Sequence, residues 1–215
     1  MRSSTILNKS KDSPEFDPSF NYQSVIGKMN YLEKGPQSKL AYGIHQCARY
    51  STNPRKDHGD AVQWIGRYFL GTAKDGLILK PDLAKSFKVF VDSYFCGNWH
   101  KQYAGEIDSV RLRHGYVIKY AGCPFVSKSQ LQTEIALSTT EAEYTGISYA
   151  LREAIPLMEL LKEMKEKGFD VLDHKVKFHC RVFEDNSGAI EMAVVHKWRP
   201  RTKNLAKNCI ISDPT

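Results

Sequence analysis

The chain has 215 residues, 41% hydrophobic and 26% charged, with 31 Lys and Arg against 24 Asp and Glu, a formal charge of +7. That balance can bury a core, which excludes a chain disordered by composition, and the basic excess suits a polyanionic partner without requiring one. No apolar run approaches the ~18 residues a membrane helix needs, and Met1 to Asp17 carry no apolar leader, so the expectation is an intracellular protein, neither secreted nor membrane-bound. Cys47, Cys96, Cys123, Cys180 and Cys209 are odd in number and widely spaced, which excludes a disulfide framework and a cysteine-rich zinc site. The histidines form no H-x-x-x-H or H-E-x-x-H pattern, which argues against a metal held by histidine.

Residues 1–19 read as an irregular lead-in, with order starting near Phe20. Tyr22, Val25, Ile26, Met29 and Leu32 recur at helical spacing, and Gly35-Pro36 ends that helix. A second helix is expected over Lys39 to Tyr50 and a third over Asp57 to Leu70, closed by Gly71. From Gly76 the pattern turns to strands: a short one over Gly76–Lys80, an apolar one over Phe87–Val91, and a hairpin of Tyr116–Tyr120 and Pro124–Val126 around Ala121-Gly122-Cys123. A long amphipathic helix is predicted from Thr139 to Ile155, with Pro156 starting or kinking a continuation to Lys167 and Gly168 capping it. Val176–Val182 alternates as a half-buried strand, and Asn186 or Ser187 caps a helix to Val195. The order implies a mixed α/β sheet with a crossover helix behind a small helical subdomain.

Three carboxylates attract attention on position. Asp92 follows the apolar strand, Asp185 follows the alternating strand, and Glu141 opens the crossover helix. Each has a plain structural role open to it: Asp92 in a turn, Asp185 as an N-cap, and Glu141 in a capping box with Ser138. Brought together, three such groups would repel one another unless a cation held them, and oxygen-only ligands select Mg²⁺ or Mn²⁺. Glu143, two residues from Glu141, reads as a solvated charge on another helix face or a partner for a nearby base.

Ala136-Leu-Ser-Thr-Thr-Glu-Ala-Glu-Tyr144 resembles a segment of the ribonuclease H domain of copia-type retrotransposon polyproteins. Val91-Asp-Ser-Tyr-Phe-Cys-Gly-Asn-Trp99, Gly115-Tyr-Val-Ile118, Glu184-Asp-Asn-Ser-Gly-Ala-Ile190 and Arg199-Pro-Arg-Thr-Lys203 are similar to further motifs of that domain. Tyr22–Leu32, Ala41-Tyr42, Asn53-Pro54 and Arg67–Thr72 resemble the segment that joins it to the reverse transcriptase. The resemblance implies a ribonuclease H-like mixed sheet, with an irregular lead-in over 1–19, a helical connection segment over 20–80 and the nuclease domain, C-terminally truncated, over 81–215. It implies that Asp92, Glu141 and Asp185 bind two Mg²⁺ (or Mn²⁺) ions and cut the RNA strand of an RNA–DNA hybrid, with the reverse-transcriptase part of the same polyprotein as partner. Where that family usually continues with His-Ile and further acidic and histidine groups, this chain reads Asn204 to Ile211. The alternative is therefore a catalytically inactive nucleic-acid-binding remnant, and a third reading is a structural α/β protein.

Two stretches suit nucleic acid. Between Met192 and Ser212 there is no acidic residue, and Lys197, Arg199, Arg201 and Lys203 flank Trp198, an arrangement fit for phosphates or equally for a frayed cationic tail. Lys128, Ser129, Gln130 and Gln132 form a polar segment before the crossover helix, suited to minor-groove and 2′-hydroxyl contacts or simply to a solvated loop. Asn186, beside Asp185, joins the candidate nucleic-acid contacts.

Overall fold

The protein is represented by a computed structural model that describes residues 7, 13–34, 40–76, 78–94, 111–132, 136–171 and 179–194. The chain divides into two compact units, one running to Ile78 and the other built from the described residues from Leu79 onward.

The first unit is helical. Helix α1 (Tyr22–Glu33) begins where Asn21 Oδ1 accepts the Ser24 N–H at 2.9 Å, which satisfies one of the free donors of its first turn. Helices α2 (Ala41–Ala48) and α3 (Lys56–Gly71) follow. Ile26, Met29, Ile44, Cys47, Val62 and Ile65 form the core, and the Tyr22 hydroxyl donates to Cys47 O at 2.9 Å. The lead-in is part of this core, against the expectation that order starts near Phe20. Leu7 is buried there, and its carbonyl accepts from the Tyr50 hydroxyl at 2.7 Å. Phe16 lies so close to Gly59 that a Cβ there would meet the ring at 2.6 Å. Isolated apolar residues in a polar stretch carry no periodicity, so sequence pattern could not place them.

The second unit holds a four-stranded sheet of order β3-β2-β1-β4, with β1 Phe87–Tyr94, β2 Arg113–Tyr120, β3 Cys123–Leu131 and β4 Cys180–Phe183. Strands β1, β2 and β3 pair antiparallel, and β4 joins β1 in parallel, Phe90 opposite Phe183. The β2–β3 turn places Ala121 and Gly122 at φ +51° and +80°, the left-handed pair a two-residue hairpin demands. Helix α4 (Thr139–Glu166) lies between β3 and β4 in sequence and crosses the sheet, and α5 (Ser187–Val194) follows β4. Phe87, Val89, Val91, Tyr116 and Ile118 point toward α4 and pack with Tyr144, Ile147, Ala150 and Ala154. The helix approaches β1 so closely that a Cβ at Gly146 would meet Ser93 Oγ at 2.5 Å. The result is a mixed α/β architecture, as the element order implied.

Several boundaries differ from the expectation. The described residues of Gly76–Lys80 form no strand, and Ile78 and Leu79 are exposed. A short apolar run without a neighbour leaves its backbone groups unpaired and gains nothing by extending. The polar segment from Lys128 to Leu131 is the second half of β3, paired with Arg113–Tyr116. Helix α4 runs unbroken through Pro156. Residues 195–215, including Lys197, Arg199, Arg201 and Lys203, lie outside the described residues, as do 176–178 of the predicted last strand.

Candidate metal centre

The parallel pairing of β1 and β4 ends at Phe90 and Phe183. Asp92 lies two residues past that end, still in β1, and Asp185 lies two residues past it in the bend after β4; both carboxylates are near enough to act on the Glu143 carboxyl. Strand alternation turns Asp92 to the face opposite its neighbour Ser93, and its side chain is exposed. Asp185 is exposed as well, in the bend between β4 and α5.

The carboxylate that α4 brings to this region is Glu143. Ser138 caps the helix, accepting the Glu141 N–H at 3.1 Å, while Glu141 Oε2 folds back to accept the Leu137 N–H at 2.8 Å. Glu141 thus completes a reciprocal cap and is turned to its own N-terminus. Glu143 is only 7% exposed. One carboxylate oxygen each of Glu143, Glu184 and Asp185 lie within 4.8 Å of one another. Of the three expected carboxylates, Asp185 is in this group while Asp92 and Glu141 are not, and Glu143 is not the solvated charge the sequence suggested.

The electrostatics of this cluster are unfavourable for bare carboxylates. Burial foremost, then the Glu184 charge, push the Glu143 carboxyl up to about 7, with the nearby Ser93 hydroxyl pulling the other way and Asp92 and Asp185 adding to the rise. Burial also raises Glu184, whose Oε1 accepts the N–H groups of Asp185 at 3.1 Å and Asn186 at 3.2 Å. Glu143 Oε2 and Glu184 Oε2 are buried with no hydrogen-bond partner among the described residues. Buried acceptors of this kind cost free energy unless something donates to them or coordinates them. An all-oxygen donor set fits a hard divalent cation, and the unfilled oxygens of Glu143 and Glu184 are where it would bind.

The residues expected to hold nucleic acid fall into different roles. Gln132 is 2% exposed and donates to Ala142 O at 3.0 Å, so it anchors the first turns of α4 and is closed to a ligand. Lys128 pairs with Glu153 at 3.1 Å, a carboxylate it shares with the Tyr116 hydroxyl at 2.6 Å. Ser129 Oγ lies 3.2 Å from Arg113 Nη1 on the opposite face from Lys128, and Gln130 is exposed on β3. Asn186 Oδ1 accepts the Ala189 N–H at 3.1 Å and starts α5.

Glu143 and Glu184 were missed in the sequence, although one signal was present. Glu143, Ile147, Ala150 and Ala154 recur at i, i+4, i+7 and i+11, which sets Glu143 on the buried stripe of the helix. Glu184 carries no comparable mark.

The chain is similar to the retrovirus-related Pol polyprotein from transposon TNT 1-94 of Nicotiana tabacum, 30% identical over 184 residues, 86% of this chain and 12% of that polyprotein. It is likewise similar to the retrovirus-related Pol polyprotein from transposon RE2 of Arabidopsis thaliana, 27% identical over 190 residues, 88% of this chain and 12% of the relative. A shorter relative, the secreted RxLR effector protein 161 of Plasmopara viticola, is 28% identical over 134 residues, 62% of this chain and 89% of that protein. No family model matches the chain, and no solved structure does. The chain spans 12% of the length of the Pol polyproteins it matches. Among the described residues, no helix is long and apolar enough to cross a membrane.

Proposed function

We propose that this chain, a relative of copia-type retrovirus-related Pol polyproteins, is the ribonuclease H-like part of such a polyprotein, with the helical unit as the connection to its reverse transcriptase. The observation that carries the reading is the meeting of Glu143, Glu184 and Asp185 within 4.8 Å, with two buried oxygens unfilled. Glu143 and Asp185, with Asp92 from the neighbouring strand end and Glu184 behind them, would hold two Mg²⁺ or Mn²⁺ ions. Bound there, such ions supply an activated water and charge stabilisation at the leaving oxygen of a phosphodiester.

The chain's own residues prepare that site. Gln132 ties Ala142 O to the end of β3 and so fixes the start of α4, one residue before Glu143. The N–H groups of Asp185 and Asn186 hold Glu184 in place, and Gly146 lets the helix close onto β1. The RNA strand of a hybrid would lie across this cluster, with Gln130 and the basic residues Lys197, Arg199, Arg201 and Lys203 as phosphate or sugar contacts.

The test is cleavage of a labelled RNA strand in an RNA–DNA hybrid with Mg²⁺ and with Mn²⁺. Replacing Glu143 by Gln is expected to lower the rate about 100-fold or more, and replacing Glu141 by Gln to leave it nearly unchanged. Equal cleavage by the wild type and Glu143→Gln contradicts the assignment. The sequence at Asn204–Ile211 favours a second reading, a nucleic-acid-binding remnant without turnover, and hybrid binding with no cutting in either metal supports it.

A further inference from the structure

The face of the sheet turned away from α4 carries an arrangement that the carboxylate cluster does not use. Phe87, Val89 and Val91 face α4, so alternation puts Lys88 and Phe90 of β1 on the other side, with Arg181 and Phe183 of β4 and Val117 and Lys119 of β2. The register aligns these groups in rows. Lys88 pairs with both Arg181 and Lys119, and Phe90 pairs with both Phe183 and Val117. Three cations thus lie side by side across three strands, next to a row of two aromatic rings and a valine.

Like charges directly opposite on neighbouring strands destabilise a sheet. Among the described residues, Lys88, Arg181 and Lys119 form no ion pair that would offset this. The aromatic pair is also left open, with Phe90 38% and Phe183 42% exposed. The two rings stack at 4.8 Å with planes 10° apart, and Lys119 Nζ sits 5.3 Å from the Phe90 centroid. The order Lys119, Phe90, Phe183 runs toward β4, the outer strand of the described sheet, so the far side of Phe183 is where the stack can continue. A π-surface flanked by cations that form no ion pair among the described residues matches an unstacked base with its phosphates. A duplex offers no free base face to such a surface, so the chemistry favours a single strand over a hybrid or duplex.

We propose that this open sheet face binds single-stranded DNA or RNA, with a base stacked on Phe183 and the backbone on Lys88, Arg181 and Lys119. The proposal is independent of the nuclease reading, and its test runs in EDTA, where no divalent ion can occupy the carboxylates. Fluorescence anisotropy of the full chain with a labelled oligonucleotide of about 12 nucleotides, single-stranded and as a duplex, reads the affinity. Phe183→Leu keeps apolar bulk without a π-face and is expected to weaken single-strand binding about tenfold. The double variant Lys88→Gln/Arg181→Gln is expected to flatten the log–log salt dependence by about 1.4, the loss of two phosphate contacts on a single strand. Lys119→Gln, a surface exchange that leaves the core intact, should weaken binding as well, and thermal melts confirm that each variant is folded. Glu143→Gln should bind the single strand like the wild type. Wild-type affinity and salt slope in the Phe183 and Lys88/Arg181 variants overturn the proposal, as does tighter binding to the duplex. So does self-association abolished by Phe183→Leu in a chain that binds no oligonucleotide, which would make a second copy the occupant.

Discussion

Among the described residues, each unit of this protein buries one glutamate, and the two have opposite surroundings. Glu33, in the helical unit, faces His45 Nε2 at 2.8 Å. Glu143, in the sheet unit, faces Glu184 and Asp185 and feels the charge of Asp92. A carboxylate beside an imidazole has a cationic partner within its own chain once the imidazole is protonated. A carboxylate buried among carboxylates repels its neighbours, and a cation from outside would offset that repulsion.

The comparison makes predictions that differ in sign as well as size. The largest concerns His114, the mirror image of Glu143: a base buried in the sheet unit near cations. Burial first, then Lys128 and Arg113, hold its imidazole down to about 4, so the folded state keeps it neutral where the unfolded chain, titrating near 6.5, takes up a proton. Stability is therefore fully present above pH 6.5 and falls between pH 6.5 and about 4, by on the order of 2–3 kcal/mol. In urea unfolding at neutral and acid pH, His114→Phe, which can keep the stack on Tyr149, should show a flatter pH dependence than the wild type.

Next comes the contrast itself. Glu33→Gln removes an acid from its partner and should cost about 1–2 kcal/mol. Glu143→Gln removes an acid from a repulsive site and, in EDTA at neutral pH, should gain about 1 kcal/mol. Thermal unfolding of the two variants side by side measures both, and a destabilised Glu143→Gln would break the distinction. The smallest effect belongs to Glu141→Ala, which removes one half of the α4 cap and should cost about 0.5–1 kcal/mol, read from the same melts.

The helices of the first unit were legible because apolar residues at 3.6 spacing leave few alternatives, and α1 differs from the expected Tyr22–Leu32 by one residue. The crossover helix was legible in type, but its unbroken course through Pro156 was not. Packing of that helix on β1 and β2 overrides a local preference to break, and packing is not a local property. The length of β3 was hidden because Lys128, Ser129 and Gln130 are polar on both faces, so alternation gave no signal while pairing with β2 decided the strand. Position along the chain pointed to Asp185 and to the crossover helix, and both contribute a carboxylate to the acidic cluster. Which of Glu141 and Glu143 meets the sheet depends on the helix face, and that was not legible; the capping box read at Ser138 and Glu141 is what forms.

Calorimetric titration of the metal-free protein with Mn²⁺ tests the carboxylate nest most directly. Wild type and Glu141→Gln should bind the ion alike, while Glu143→Gln should bind it at least about 10-fold more weakly. Undiminished Mn²⁺ affinity in Glu143→Gln, or a loss confined to Glu141→Gln, would contradict the assignment of Glu143 to the metal centre.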